Sequence, residues 1–179
     1  MRLHDLERHD WSLLRTAHSS HSVPEALQSL VGATSNDEAS RAYWRIDNVV
    51  VRQGALFEAA APVAECLAVA LHQCTDVARP WALELLFQLA NGTPAPEELA
   101  AGNHALRARC RDALLSCSAY LYALLECGTR EEQIWCVDLL CLCVDERPTL
   151  KPRVVWHFNR FAQTSEEARR YIDKTLAGL

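Results

Sequence analysis

Between residues 36 and 74 apolar side chains recur at helical spacing with a single interruption, and any fold must be built around that stretch. Leu56, Ala60, Val63, Leu67, Leu71 and Cys74 follow one another at steps of three or four residues, one face of a helix about five turns long. Ahead of them Tyr43, Ile46 and Val50, with Trp44 and Val51 beside them, predict another helix. Gln53-Gly54 separates the two, because glycine tolerates the positive φ at which helices end. Asn36 or Asp37 is the expected cap of the first helix, and Glu38 suits the positive end of its dipole. Pro62 removes a backbone donor, so it kinks the second helix or marks its true start. A helix this apolar needs cover from neighbouring helices, and the chain supplies them.

Residues 5–17 predict a helix with Leu6, Trp11, Leu14 and Leu13 inward, followed by a polar linker containing His18 and His21. Ser22-Val23-Pro24-Glu25 has the form of a capping box with proline in the first turn, and its helix ends at Gly32. Asp76 opens another helix, with Pro80 early, Trp81, Leu85, Leu86 and Leu89 along one face, and Asn91-Gly92 as its close. A short helix is expected over 96–101 and a long one over 105–127. Thr129 with Glu132 is a second capping box, leading a helix that turns Trp135, Leu139, Leu142 and Cys143 inward. After the break at Glu146-Arg147-Pro148, the last two helices fall near 150–162 and 165–177, the latter capped by Thr164 with Glu167. No stretch shows the alternation of a strand.

A weak internal repeat runs through these helices. Trp81-x-x-x-Leu85-Leu86-x-x-Leu89 recurs as Trp135-x-x-x-Leu139-Leu140-x-x-Cys143, and Trp44-x-x-x-Asn48-Val49 is a poorer third copy. Helix pairs repeating in this way are the mark of an α-solenoid, in which each unit covers the apolar face of the next. The expected fold is therefore all-α, an α-solenoid of about seven to nine helices without a sheet, in a single domain over residues 1–179.

Residues 42–48 together with 53–62 resemble bacterial HEAT-repeat-like proteins, the segment around Pro62 being similar to the proline-kinked first helix of a HEAT unit. The likeness covers residues 36–92, and its motifs are structural, so it speaks to fold more than to activity. Proteins of this kind are often small and cytoplasmic, and some serve as immunity proteins beside polymorphic toxins. The resemblance thus implies inhibition of a cognate toxin by direct binding. The alternative is a cytoplasmic scaffold or adaptor in a larger assembly.

Composition narrows the classes. With 179 residues, 50% of them hydrophobic, the chain can bury a core without disulfides. A net charge of −5 argues against a general nucleic-acid binder and permits a basic protein partner. No apolar run is long enough for a membrane span, and the charged start at Met1-Arg2-Leu3-His4-Asp5 is unlike a signal peptide. The eight cysteines lie mostly on apolar helical faces and lack C-x-x-C pairs. Free thiols in a reducing compartment are expected, with no metal and no cofactor. No Gly-rich phosphate loop, G-x-S-x-G or H-E-x-x-H occurs, and an enzyme is not expected.

The candidate binding residues follow the repeat. Arg41, Arg45, Asn48 and Arg52 form a polar stripe at steps of four, three and four, a row of donors suited to carboxylates. The plainer alternative is a solvated face with Asp37 paired to Arg41. On the helices of Trp81 and Trp135, the corresponding outward residues are Glu84 and Gln88, and Glu131 and Asp138. All eight are expected on one concave surface, with Trp44 and Trp81 in the core. Acidic pairs at helix ends (Asp37-Glu38, Glu97-Glu98, Glu131-Glu132, Asp145-Glu146, Glu166-Glu167) suit helix dipoles and, gathered on one edge, would make an acidic rim. His104, Arg107, Arg109 and Arg111 form a local basic run. His4, His9, His18 and His21 cluster near the start, where exposed histidines are the expectation, since His18-x-x-His21 lacks a third ligand.

Overall fold

The interruption at Gln53-Gly54 is a β-hairpin turn. Both residues carry positive φ, 52° and 79°, the combination that a two-residue type I′ turn requires. It joins β1 (Val51–Arg52) to β2 (Ala55–Leu56), and β3 (Thr93–Pro94) adds to β2 in parallel, with Ala55 opposite Thr93 and Leu56 opposite Pro94. The expectation of no sheet is thus corrected. Two-residue strands are too short to show a period of two, so no alternation marks them in the sequence.

The computed structural model describes residues 3–17 and 22–179. Among them are ten α-helices, more than the seven to nine expected. The contacts divide the chain into two compact units, residues 1–117 and 118–179.

The first unit contains α1 (Val23–Val31), α2 (Asn36–Val50), α3 (Ala60–Ala70), α4 (Ala78–Asn91), α5 (Pro96–Ala100) and α6 (Leu106–Ser116). α4 packs against α1, α2, α3 and α6, and α3 also packs against α6. The predicted apolar stripe is inside, with Leu56, Ala60, Val63, Leu67 and Leu71 all 0% exposed, but it is not one five-turn helix: Leu56 lies on β2, α3 ends at Ala70, and Leu71–Gln73 is a 3-10 turn. Pro62 is the third residue of α3, so it marks the helix start, where its missing donor costs nothing. Gly92 is needed for space, since a Cβ there would lie 2.6 Å from Cδ2 of Leu56.

Several caps differ from those expected. Ser35, one residue earlier than expected, caps α2 by accepting from the Glu38 amide at 3.3 Å. This frees Asn36 to accept from the Trp81 indole at 2.8 Å. Ser22 makes no side-chain cap, so the first capping box is absent. Residues 5–17 are not a helix. A 3-10 turn at His4–Arg8 ends where the Trp11 indole donates to the Leu6 carbonyl at 2.8 Å and Asp10 takes the Ser12 amide and hydroxyl. These local side-chain bonds compete with helix continuation. Leu6 is buried as expected, while Leu13 is 76% exposed.

The segment at 15–17 is strapped to the first unit. Ala17 donates to the Val49 carbonyl and Ala59 to that of Arg15. The Arg15 guanidinium reaches Glu98 at 2.7 and 3.1 Å and Glu58 at 3.1 Å.

The long helix expected over 105–127 is broken at Cys117, where the units divide. There Ser116 Oγ donates to the Ala113 carbonyl and Cys117 Sγ to that of Leu114, turning side chains back onto the helix backbone. The second unit holds α7 (Ser118–Cys127), α8 (Arg130–Glu146), α9 (Lys151–Ala162) and α10 (Glu166–Leu176). Its core takes Leu121, Val137, Leu139, Leu140, Val154, Phe158 and Ile172. The capping box at Thr129 is complete: Glu132 accepts from the Thr129 amide at 2.6 Å and Thr129 from the Glu132 amide at 3.4 Å. Ser165, not Thr164, caps α10, accepting from Ala168 at 3.0 Å.

Candidate functional site

The outer face of α2 is where the sequence places its recognition stripe, and the fold fixes how that face is presented. Ala39, Ala42, Tyr43, Ile46 and Val50 turn inward and are at most 3% exposed. The rotation is pinned from α4. The Tyr43 hydroxyl donates to Glu84 at 3.2 Å, and its ring lies 5.4 Å from that of Trp81. Burial, then the charges of Asp47 and Glu84, hold the Tyr43 phenol well above its ordinary range. Burial and the Glu84 charge also raise the Asp47 carboxyl, with the Tyr43 hydrogen bond opposing them.

With the helix held this way, Arg41, Arg45 and Asn48 are exposed, as is Arg52 on β1. Arg41 and Arg45 line an open hollow of about 470 Å³ together with Gln28, Ser29, Gly32 and Glu38. Arg41 donates Nε to the Asp37 carbonyl at 3.1 Å, a backbone contact in place of the carboxylate pairing considered from sequence. Asn48 donates to the Trp44 carbonyl at 2.9 Å. Glu38, on the rim, is held below the ordinary carboxylate range by hydrogen bonds from the Thr34 backbone and hydroxyl. Among the described residues Arg45 and Arg52 make no side-chain hydrogen bond or ion pair, so their donors face solvent.

Trp44 corrects one expectation. It is 50% exposed, edge-on to Tyr43 at 5.0 Å, and it stands on the same face as Arg41 and Asn48. Sequence reasoning put it in the core. The signal against that was its place three residues after Arg41 and four before Asn48, on the polar side of the helix. Trp81 is half-buried, with its indole satisfied by Asn36.

The other candidate positions divide. Glu84 is half-buried and occupied by Tyr43, and Gln88 is half-buried farther along α4. Glu131 and Asp138 belong to the second unit. Glu131 is exposed, whereas Asp138 is half-buried and accepts from the Tyr171 hydroxyl at 2.7 Å. Burial raises the Asp138 carboxyl, and that hydrogen bond opposes the rise.

The basic run and the acidic pairs are dispersed by the fold. Arg111 is 6% exposed and donates to the Ala90 carbonyl, Arg109 pairs with Glu65 at 3.0 Å, and only His104 and Arg109 of the run are exposed. Glu98 and Glu132 are each 1% exposed, one held by Arg15 and Asn103, the other by the cap at Thr129. Neither contributes to an acidic rim. His4 is exposed, His9 is half-buried with Nε2 3.8 Å from Glu65, and His18 and His21 lie outside the described residues. Among the described residues no group of three or more His, Cys, Asp or Glu is placed to hold a metal ion, and no helix is long and apolar enough to cross a membrane.

No family model matches the chain, and no curated protein or solved structure matches it. The functional argument therefore rests on the α2 face itself.

Proposed function

We propose that this chain is a HEAT-like helical repeat protein of the cytoplasm that works by binding another protein through the outer face of α2. Its role on this reading is that of an immunity protein, neutralising a cognate toxin by direct contact. The observation that carries the binding reading is Trp44, held half-exposed among Arg41, Arg45 and Asn48 on one rigid helix face. Tryptophan and arginine are the residues most enriched at the energetic centres of protein interfaces. Tyr43 and Trp81 pin the helix from behind, so little ordering cost remains to be met on binding. The buried thiols fit a reducing compartment.

Arg45 and Arg52 supply the charge. Their free donors suit carboxylates on a partner, and reversing both should weaken binding by about 2 kcal/mol or more where they meet buried acids. The test is growth protection in cells that express the product of the adjacent gene. The wild-type chain should rescue growth and Arg45→Glu/Arg52→Glu should not. Growth unaffected by the adjacent product, or equal rescue by the double variant, would remove this reading.

The division into two compact units favours a scaffold as the second reading. A scaffold would hold more than one partner at once, whereas an inhibitor would saturate with a single one.

A further inference from the structure

α9 is a basic amphipathic helix in a chain of net charge −5. It carries Lys151, Arg153 and Arg160 and no Asp or Glu. Val154, Phe158 and Phe161 face the core of the second unit. On the outside Trp156 is 57% exposed, more than any other aromatic side chain among the described residues.

Two of the cations lie over aromatic rings. The Arg153 guanidinium lies 4.2 Å over Tyr122 of α7, and that of Arg160 lies 5.7 Å over Trp156. Neither has a carboxylate partner among the described residues. A guanidinium held over a ring by its charge keeps N–H donors for a second partner. Exposed and without an internal acid, each can pair bidentately with a carboxylate. Beside Arg160 is a hollow of about 230 Å³ walled by Leu125, Phe161 and Trp156, with Glu126, His157 and Thr164 as its polar lining. It is smaller than the roughly 300 Å³ at which small-molecule pockets begin, and suits one apolar side chain of a larger ligand.

We propose that this α7–α9 face is a docking site for an acidic peptide segment of a protein partner, which seats an apolar side chain against Trp156 and carboxylates on Arg153 and Arg160. The arginines are seven residues apart, about 10 Å along the helix. An extended chain covers that distance in about three residues. The segment is therefore extended, with acids three positions apart and an apolar residue nearby. A phosphate backbone fits less well, because it needs a continuous basic tract. Here Glu126 of α7, 3.2 Å from His157 and itself in the wall of the hollow, interrupts it, and for the same reason the acids of the segment fall on Arg153 and Arg160 and only its apolar side chain enters the hollow. This site belongs to the second unit and does not depend on the α2 reading.

The test is selection from a phage-displayed library of random dodecapeptides on the full chain, repeated on Arg153→Gln/Arg160→Gln and on Trp156→Ala. The substituted positions are exposed, and variants are compared at unchanged circular dichroism. Peptides enriched on the wild type should carry two acids three positions apart with an apolar neighbour. They should bind each variant roughly tenfold or more weakly. Arg45→Glu/Arg52→Glu, in the first unit, should retain them. Enrichment of neutral or basic sequences, no enrichment, or equal binding by the α9 variants would overturn the proposal. So would tighter binding of a labelled oligothymidylate than of the acidic peptides, measured by fluorescence polarisation.

Discussion

The hydroxyl of Tyr43 on α2 donates to Glu84 on α4 at 3.2 Å, tying the two helices together behind the exposed face of α2. Tyr43→Phe keeps the packing with Trp81 and removes only the donor. It should cost about 1 kcal/mol of stability, the usual worth of one hydrogen bond with a charged acceptor partly open to water. Urea unfolding at neutral pH measures this, and an unchanged midpoint would show that the bond does not hold the two helices.

Asp47 lies beside that pair, half-buried, with its carboxyl raised above the ordinary 3.8 by burial and by the charge of Glu84. A raised carboxyl contributes stability in full below the unfolded value, and loses it as pH climbs through the folded one. At pH 7 the ionised Asp47 is thus a cost. Asp47→Asn should melt higher than wild type at pH 7, and the advantage should vanish as pH falls toward 3.8. Melting curves across that range decide it. A variant that is less stable at pH 7 would contradict the sign.

Glu98 behaves in the opposite way. Burial alone would raise its carboxyl, but hydrogen bonds from Arg15 and Asn103 hold it below 4.5. Its contribution is present above 4.5 and lost as pH falls through the lower folded value. Arg15→Ala leaves this buried carboxylate with Asn103 and no cation. The loss should be about 2 kcal/mol, less than for a fully buried pair because Arg15 is half open to solvent. The N-terminal strap should also loosen, with faster amide exchange at Ala17 and Ala59. Unchanged exchange and an unchanged urea midpoint would mean that the strap is held by its backbone bonds alone.

Thiol reactivity follows burial. Cys66, Cys74, Cys110, Cys117, Cys136 and Cys143 are buried, Cys141 is half-buried and Cys127 is exposed. Burial pushes the Cys66, Cys74, Cys110, Cys117 and Cys141 thiols up to about 12. A disulfide reagent at pH 8 should modify Cys127 quickly and the other seven only on unfolding. Rapid modification of several thiols in the native protein would contradict the packing.

Long-period features were legible in the sequence. The burial of the stripe from Leu56 to Cys74, its helical part over Ala60–Ala70, and the capping box of Thr129 with Glu132 follow from fixed spacings. The features that escaped are shorter than any period. The hairpin at Gln53-Gly54 occupies two residues a side, and its third strand comes from Thr93, far along the chain. The break at Cys117 rests on two side chains bonding back to their own helix, within an unbroken apolar pattern. In the candidate site helical periodicity holds for Arg41, Arg45 and Asn48, which are exposed on α2, whereas Arg52 is exposed on β1, past the helix end at Val50. Trp44 was missed because residue type suggested core, while its neighbours at three and four residues placed it outside. Glu84 was assigned outward, since nothing local foretold the Tyr43 hydroxyl that occupies it.

The central claim is that the outer face of α2, with Arg45 on the helix and Arg52 on the adjoining β1, binds a protein partner. Isothermal titration of the purified product of the adjacent gene into the wild-type chain and into Arg45→Glu/Arg52→Glu tests it most directly. Both arginines are exposed, so the double variant should unfold within about 0.5 kcal/mol of wild type. The account predicts tight binding to the wild type and a loss of about 2 kcal/mol or more in the double variant. A double variant that folds normally and binds as tightly as wild type would contradict it.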